Sequence, residues 1–283
     1  MGFIFVATMM HGFNVGDPAF GRLDKFPDVQ IQWYHAVAPL ILIVLTRLKI
    51  PVSTTFLVLS AFASTVILEK VLIKSVIGYA LAAVIAYIIW VVISRFINEK
   101  FDKVENIKRW RVFQWLTTGF LWYTWLSHDM ANIAVFLPRE LPLEMLLGIM
   151  ILCTALLFYI FYEKGGRIQK IVLDKTGTRF VRSATIIDVV YAFILLYFKQ
   201  YNDIPMSTTW VFVGILCGRE LAIATTAQDY KLGYVFPIIG KDFLKMIMGL
   251  TVSVAIVLSI HYVIIPGGYE DINFAFIKAS FGG

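Results

Sequence analysis

Apolar positions fill long blocks of this chain, and short charged or glycine- and proline-rich stretches separate them. Neither the alternation of strands nor the one-sided period of a soluble helix runs through those blocks, so they predict membrane helices. Residues 1–10 are apolar but too short to cross a bilayer, and they lack the basic start and cleavage site of a signal peptide. They read as an interfacial piece or the stub of a longer helix. Residues 11–32 mix Gly12, Gly16, Pro18, Gly21 and Pro27 with Asp17, Arg22, Asp24, Lys25 and Asp28, and read as an ordered loop. Together 1–32 form an N-terminal segment.

Beyond it, an apolar arm from Trp33 to about Leu48 is followed by a second from Thr55 to Leu68, and a full span by 72–97. Residues 98–111 form a charged loop with a basic excess. The next block, 112–137, is aromatic and is interrupted by Ser127-His128-Asp129-Met130-Ala131-Asn132. A span over 143–162, a basic loop over 164–182, short arms over 184–198 and 210–224, a polar connector over 225–241, a last span over 243–265 and a Gly-rich tail over 266–283 complete the chain.

Between the paired arms stand two matching breaks, Ile50-Pro51-Val52-Ser53-Thr54-Thr55 and Ile204-Pro205-Met206-Ser207-Thr208-Thr209. Non-helical backbone at membrane depth needs protein or a watery cavity around it. Arms shorter than the roughly 20 residues of a crossing therefore predict two re-entrant helical hairpins. The prolines at 51 and 205 lie 154 positions apart, and each break is followed by a span opening Lys-x-x-x-Gly, at Lys74 to Gly78 and Lys245 to Gly249. We read 33–97 and 112–265 as two repeats. Matching interruptions in two halves point to a transporter's binding site.

Composition supports the class. Of 283 residues, 59% are hydrophobic and 16% charged, and the mean hydropathy is +0.77, so an all-α polytopic membrane protein is expected. The formal charge of +6 invites nucleic acid as a partner, but the basic residues concentrate in loops beside spans, where they set orientation instead. If loops 98–111 and 164–182 are cytoplasmic, the hairpins enter from opposite faces and meet near the midplane, as an inverted repeat of an inner- or plasma-membrane protein. Cys153 and Cys217 lie in apolar runs and read as buried hydrophobes. No nucleophile–base pair or nucleotide loop points to an enzyme.

Two polar sets carry chemistry. Ser53, Thr54, Thr55, Ser207, Thr208 and Thr209 sit just before descending half-helices, where they either satisfy the backbone at a proline break or, with the helix N-termini, hold an anion. Asp129 in an apolar block costs roughly 2.5–3.5 kcal/mol on insertion scales and needs a partner or a cation. Asn132, three residues on, shares its helical face, so the pair is either a structural hydrogen bond or a hard-oxygen set for a small cation or a proton relay. His128 could switch charge, donate to an anion or act structurally. Arg219 and Glu220 read as a mutual ion pair.

These motifs resemble those of the inorganic phosphate transporter family, which read P-V-S-T-T-H and G-A-N-D-V-A-N-A. The likeness covers about residues 33–265, including Gly166 to Thr176. It implies that Asp129 and Asn132 serve phosphate or sodium binding, that the six hydroxyl residues line a phosphate site, and that uptake is coupled to sodium or protons. Departures are His128 for the first Asn of the acidic motif, and Phe56 and Trp210 for the His of the hydroxyl motifs. The first-half acidic motif survives at most in Gly12 to Gly21, with Asn14 at best as its site residue and Val15 where Asp should stand. From this follow two expectations: a cation-coupled phosphate or oxyanion transporter, alone or as a homo-oligomer, or a non-transporting membrane subunit of a larger complex.

Overall fold

The computed structural model describes residues 2–14, 19–24, 26–48, 50, 52–62, 65–97, 107–163, 181–201, 205–226 and 232–260. These residues are helical throughout their regular structure, with no strand among them. Five helical stretches are long and apolar enough to cross a membrane: Glu69–Ile93, Leu143–Tyr162, Val181–Gln200, Thr208–Thr226 and Val235–Ser259. The chain is a multi-pass integral membrane protein. Loop 164–180, most of loop 98–111 and the tail lie outside the described residues.

Helix α1 (Gly2–Asn14) buries Phe5 and Met9 against Leu126, Met130, Leu146 and Met150, so the short N-terminal block is a packing element of the bundle. A 3-10 turn at Trp33–Ala36 leads into α2 (Val37–Arg47). The expected return arm over 55–68 is divided. Helix α3 (Thr54–Leu59) stops after six residues in the turn Ser60 to Phe62, and α4 (Thr65–Ile97) then runs unbroken for 33 residues. Ser60 turns its hydroxyl onto the Leu57 carbonyl, an intrahelical acceptor, and thereby competes with continuation of α3.

Helix α5 (Ile107–Asp129) begins inside the basic loop, and α6 (Ala131–Ala134) follows it after Met130. Helix α7 (Leu143–Tyr162) keeps its expected bounds. Helices α8 (Val181–Tyr201) and α9 (Thr208–Thr226) are longer than the short arms read at 184–198 and 210–224, and both are long enough to cross a membrane, so the short arms that predicted a second re-entrant hairpin are not found. The polar residues inside them are partnered in place: Asp188 accepts from Thr118 at 2.5 Å, and Arg219 pairs with Glu220 at 2.7 Å. Helix α10 (Leu232–Ser259) contains Pro237 and takes in much of the stretch read as a polar connector. Its apolar Val235, Phe236, Ile238 and Ile239 outweigh one missing backbone donor.

The tightest interface is α4 on α9. A Cβ at Gly214 would strike the Tyr79 carbonyl oxygen, and one at Gly218 the Ala83 carbonyl oxygen. This small-xxx-small spacing lets two backbones touch in lipid, where packing and not water exclusion holds helices together. Gly78 leaves room for the second break in a softer way: a Cβ there would stand 2.6 Å from Met206 Cε, the flexible end of that side chain. Thus α4 fixes the loop that carries Ser207 and Thr208.

Candidate functional site

Each Ser-Thr-Thr motif begins a helix in the same way. Ser53 is the N-cap of α3, its Oγ accepting from Phe56 N at 3.0 Å; Ser207 Oγ accepts from Trp210 N at 3.2 Å at the start of α9. Both serines are buried, and neither lines the cavity described below. They satisfy otherwise orphaned backbone donors. A third serine supports the second motif. Ser207 N donates to Ser75 Oγ at 2.8 Å, and Ser75 Oγ donates to Val71 O at 2.7 Å within α4.

The threonines do different work. Thr55 Oγ1 donates to Asp129 Oδ1 at 3.3 Å, and Thr208 Oγ1 donates to Asp129 Oδ2 at 2.9 Å. Asn132 Nδ2 donates to Asp129 Oδ1 at 3.0 Å and reaches Thr55 Oγ1 at 3.4 Å. Asp129 ends α5 and Asn132 lies in α6; Met130 between them keeps helical dihedrals, so the two stand three residues apart on one helical face, toward the threonines. The two motifs, remote in sequence, meet on one carboxylate.

Asp129, Asn132, Thr54, Thr208 and Thr209 form the polar end of a cavity of about 720 Å3, with Tyr191 beside them. Tyr191 donates its hydroxyl to the Thr208 carbonyl at 2.7 Å, tying α8 to the N-terminus of α9. Thr54 and Thr209 present the remaining hydroxyls. The buried Asn132 Oδ1 has no hydrogen-bond partner among the described residues. Among the described residues no Lys or Arg lines the cavity, and Asp129 is its one carboxylate. The polar end thus combines an acid, an unused amide oxygen and hydroxyls that can donate or accept.

His128 stands apart. Its Nε2 lies 2.8 Å from Leu195 O in α8, and it is buried outside the cavity lining, so it joins α5 to α8 and does not face Asp129's partners. The Asn14 side chain lies outside the described residues. Helix α3, at six residues, adds little dipole to the first tip, so helix-terminal charge comes from α9.

Three contributors escaped sequence reasoning. Ser75 and Tyr191 sit in apolar helices with nothing local to mark them as tip supports. Asp188, a second acid within an apolar helix, stands on the α5–α8 interface with Thr118. Cys153, read as a buried hydrophobe, is a half-buried thiol on the cavity wall, while the buried Cys217 lies 3.6 Å from Tyr79 Oη.

Comparison with known proteins finds no matching family model, no similar curated protein and no similar solved structure.

Proposed function

We propose that this protein is a cation-coupled secondary transporter of inorganic phosphate or a similar oxyanion. The observation that carries the reading is the convergence of Thr55 and Thr208, one from each Ser-Thr-Thr motif, on opposite oxygens of Asp129. In this reading the oxyanion accepts from Thr54 and Thr209 and from the free N–H groups at the start of α9. A sodium ion or proton sits with Asp129 and the Asn132 amide oxygen. An oxyanion beside an uncompensated carboxylate is repelled strongly in a low-dielectric cavity. Anion binding therefore becomes conditional on the cation, which is the linkage a symporter requires.

The break-bearing segments belong to two inverted repeats whose tips approach from opposite faces, with loops 98–111 and 164–182 cytoplasmic. Access alternates as one repeat moves against the other. Uptake of radiolabelled phosphate into proteoliposomes, with and without inward sodium and proton gradients, tests this. Gradient-dependent uptake that Asp129→Asn removes is expected. Absence of uptake, together with no stabilisation of the purified protein by phosphate, overturns it. Stoichiometric co-purification with other membrane subunits would then favour the non-transporting reading, which Asp129 as the one carboxylate among the described lining residues motivates.

A further inference from the structure

The cavity is far larger than the ligand its polar end suits. A tetrahedral oxyanion has five heavy atoms; at about 30 Å3 each, a water's share of liquid volume, it fills about a fifth of 720 Å3. The cavity falls instead within the range that encloses a drug-sized molecule. Apart from the Cys153 thiol, its remaining described wall is hydrocarbon and aromatic, with Trp122 of α5, Phe212 of α9, and Leu156, Leu157 and Ile160 of α7.

That wall also has a side opening. Leu156 and Ile160 line the cavity yet are 54% and 49% exposed. Only 11% of the α7 span is buried in the protein, so these residues stand where a bilayer's acyl chains would lie. The same space is therefore polar and hydroxyl-lined at Asp129, apolar along α7, and open toward lipid.

We infer that the site takes a phosphate monoester carrying a long hydrocarbon chain, with the head at Thr54, Thr209 and Asn132 and the chain along Leu156, Leu157 and Ile160. The inference rests on the oxyanion reading of the polar end and adds the substrate class. A chain along α7 removes its own apolar surface from water and fills space that a free anion would leave wet. Entry is sideways from the membrane, so the head need not cross an apolar wall alone.

The test uses the full chain in lipid nanodiscs and compares binding of inorganic phosphate, dodecyl phosphate and dodecanol, each with and without sodium. Dodecyl phosphate is expected to bind at least roughly ten-fold more tightly than inorganic phosphate. Leu156→Trp or Ile160→Trp should draw that ratio toward one, and Thr209→Ala should weaken dodecyl phosphate but not dodecanol. Thermal unfolding of each variant checks its fold, and two wall variants guard against failure of either. If inorganic phosphate binds as tightly as dodecyl phosphate, the chain-binding inference falls and the oxyanion reading stands. If dodecanol binds as well as dodecyl phosphate, or if no phosphate compound binds, both fall.

Discussion

Thr208 donates its hydroxyl to Asp129 Oδ2 at 2.9 Å, joining the first residue of α9 to the last residue of α5. Thr55 holds the opposite oxygen from the first motif. The relationship makes the motifs unequal: the middle threonine of the second motif grips the carboxylate, whereas in the first the last threonine does so and Thr54 faces the cavity. Equivalent sequence positions have exchanged roles around a single acid.

Asp129→Asn keeps the size of the side chain and removes its charge. Uptake should fall at least about ten-fold, an increase in barrier of about 1.4 kcal/mol or more. Initial-rate measurements in proteoliposomes read it, with size-exclusion behaviour as the check on folding. Full activity in this variant would remove Asp129 from the mechanism.

Ser75→Ala takes away the acceptor for the buried Ser207 N–H while touching nothing in the cavity. A buried unsatisfied donor costs about 1–3 kcal/mol. The expected result is a clear drop in thermal stability. Ser75→Thr, which keeps a hydroxyl, should recover part of it.

Ser53→Ala and Ser207→Ala each remove an N-cap, at about 1 kcal/mol. If the serines are caps and not ligands, stability falls while the affinity for the bound oxyanion changes little. Parallel thermal unfolding and equilibrium binding separate the two roles.

Gly214→Val and Gly218→Val drive a side chain into the Tyr79 and Ala83 carbonyls of α4. Because the obstacle is backbone, the helices must separate, and overpacking of about 1–3 kcal/mol is a lower bound. Folded yield should collapse. Gly148→Ala, where an added Cβ meets nothing within 4 Å, should be tolerated or mildly stabilising.

Much of the architecture was legible in the chain. Block lengths and hydropathy determined the class, because a bilayer leaves few ways to satisfy a backbone. They also located α7 to the residue, since a proline starts it and charged residues follow it. The motifs announced helix starts, as both serine caps bear out. Helix lengths were less legible: the arms read at 184–198 and 210–224 run on to Val181–Tyr201 and Thr208–Thr226, and the polar residues within them, Asp188, Arg219 and Glu220, find partners across the bundle or next in the chain.

What only the tertiary structure decided is who meets whom. Ser-Thr-Thr has the same local meaning at 53–55 and 207–209, so nothing in either copy says which hydroxyl caps, which grips Asp129 and which faces the cavity. That choice comes from the packing of α4 on α9 and of α3 on α6, which sets how two short polar runs approach one carboxylate. His128 beside Asp129 in sequence points instead to Leu195, because neighbours on a helix project about 100° apart. Local sequence determines the element and its caps; the distance between residues far apart in the chain is a property of the packed helices alone.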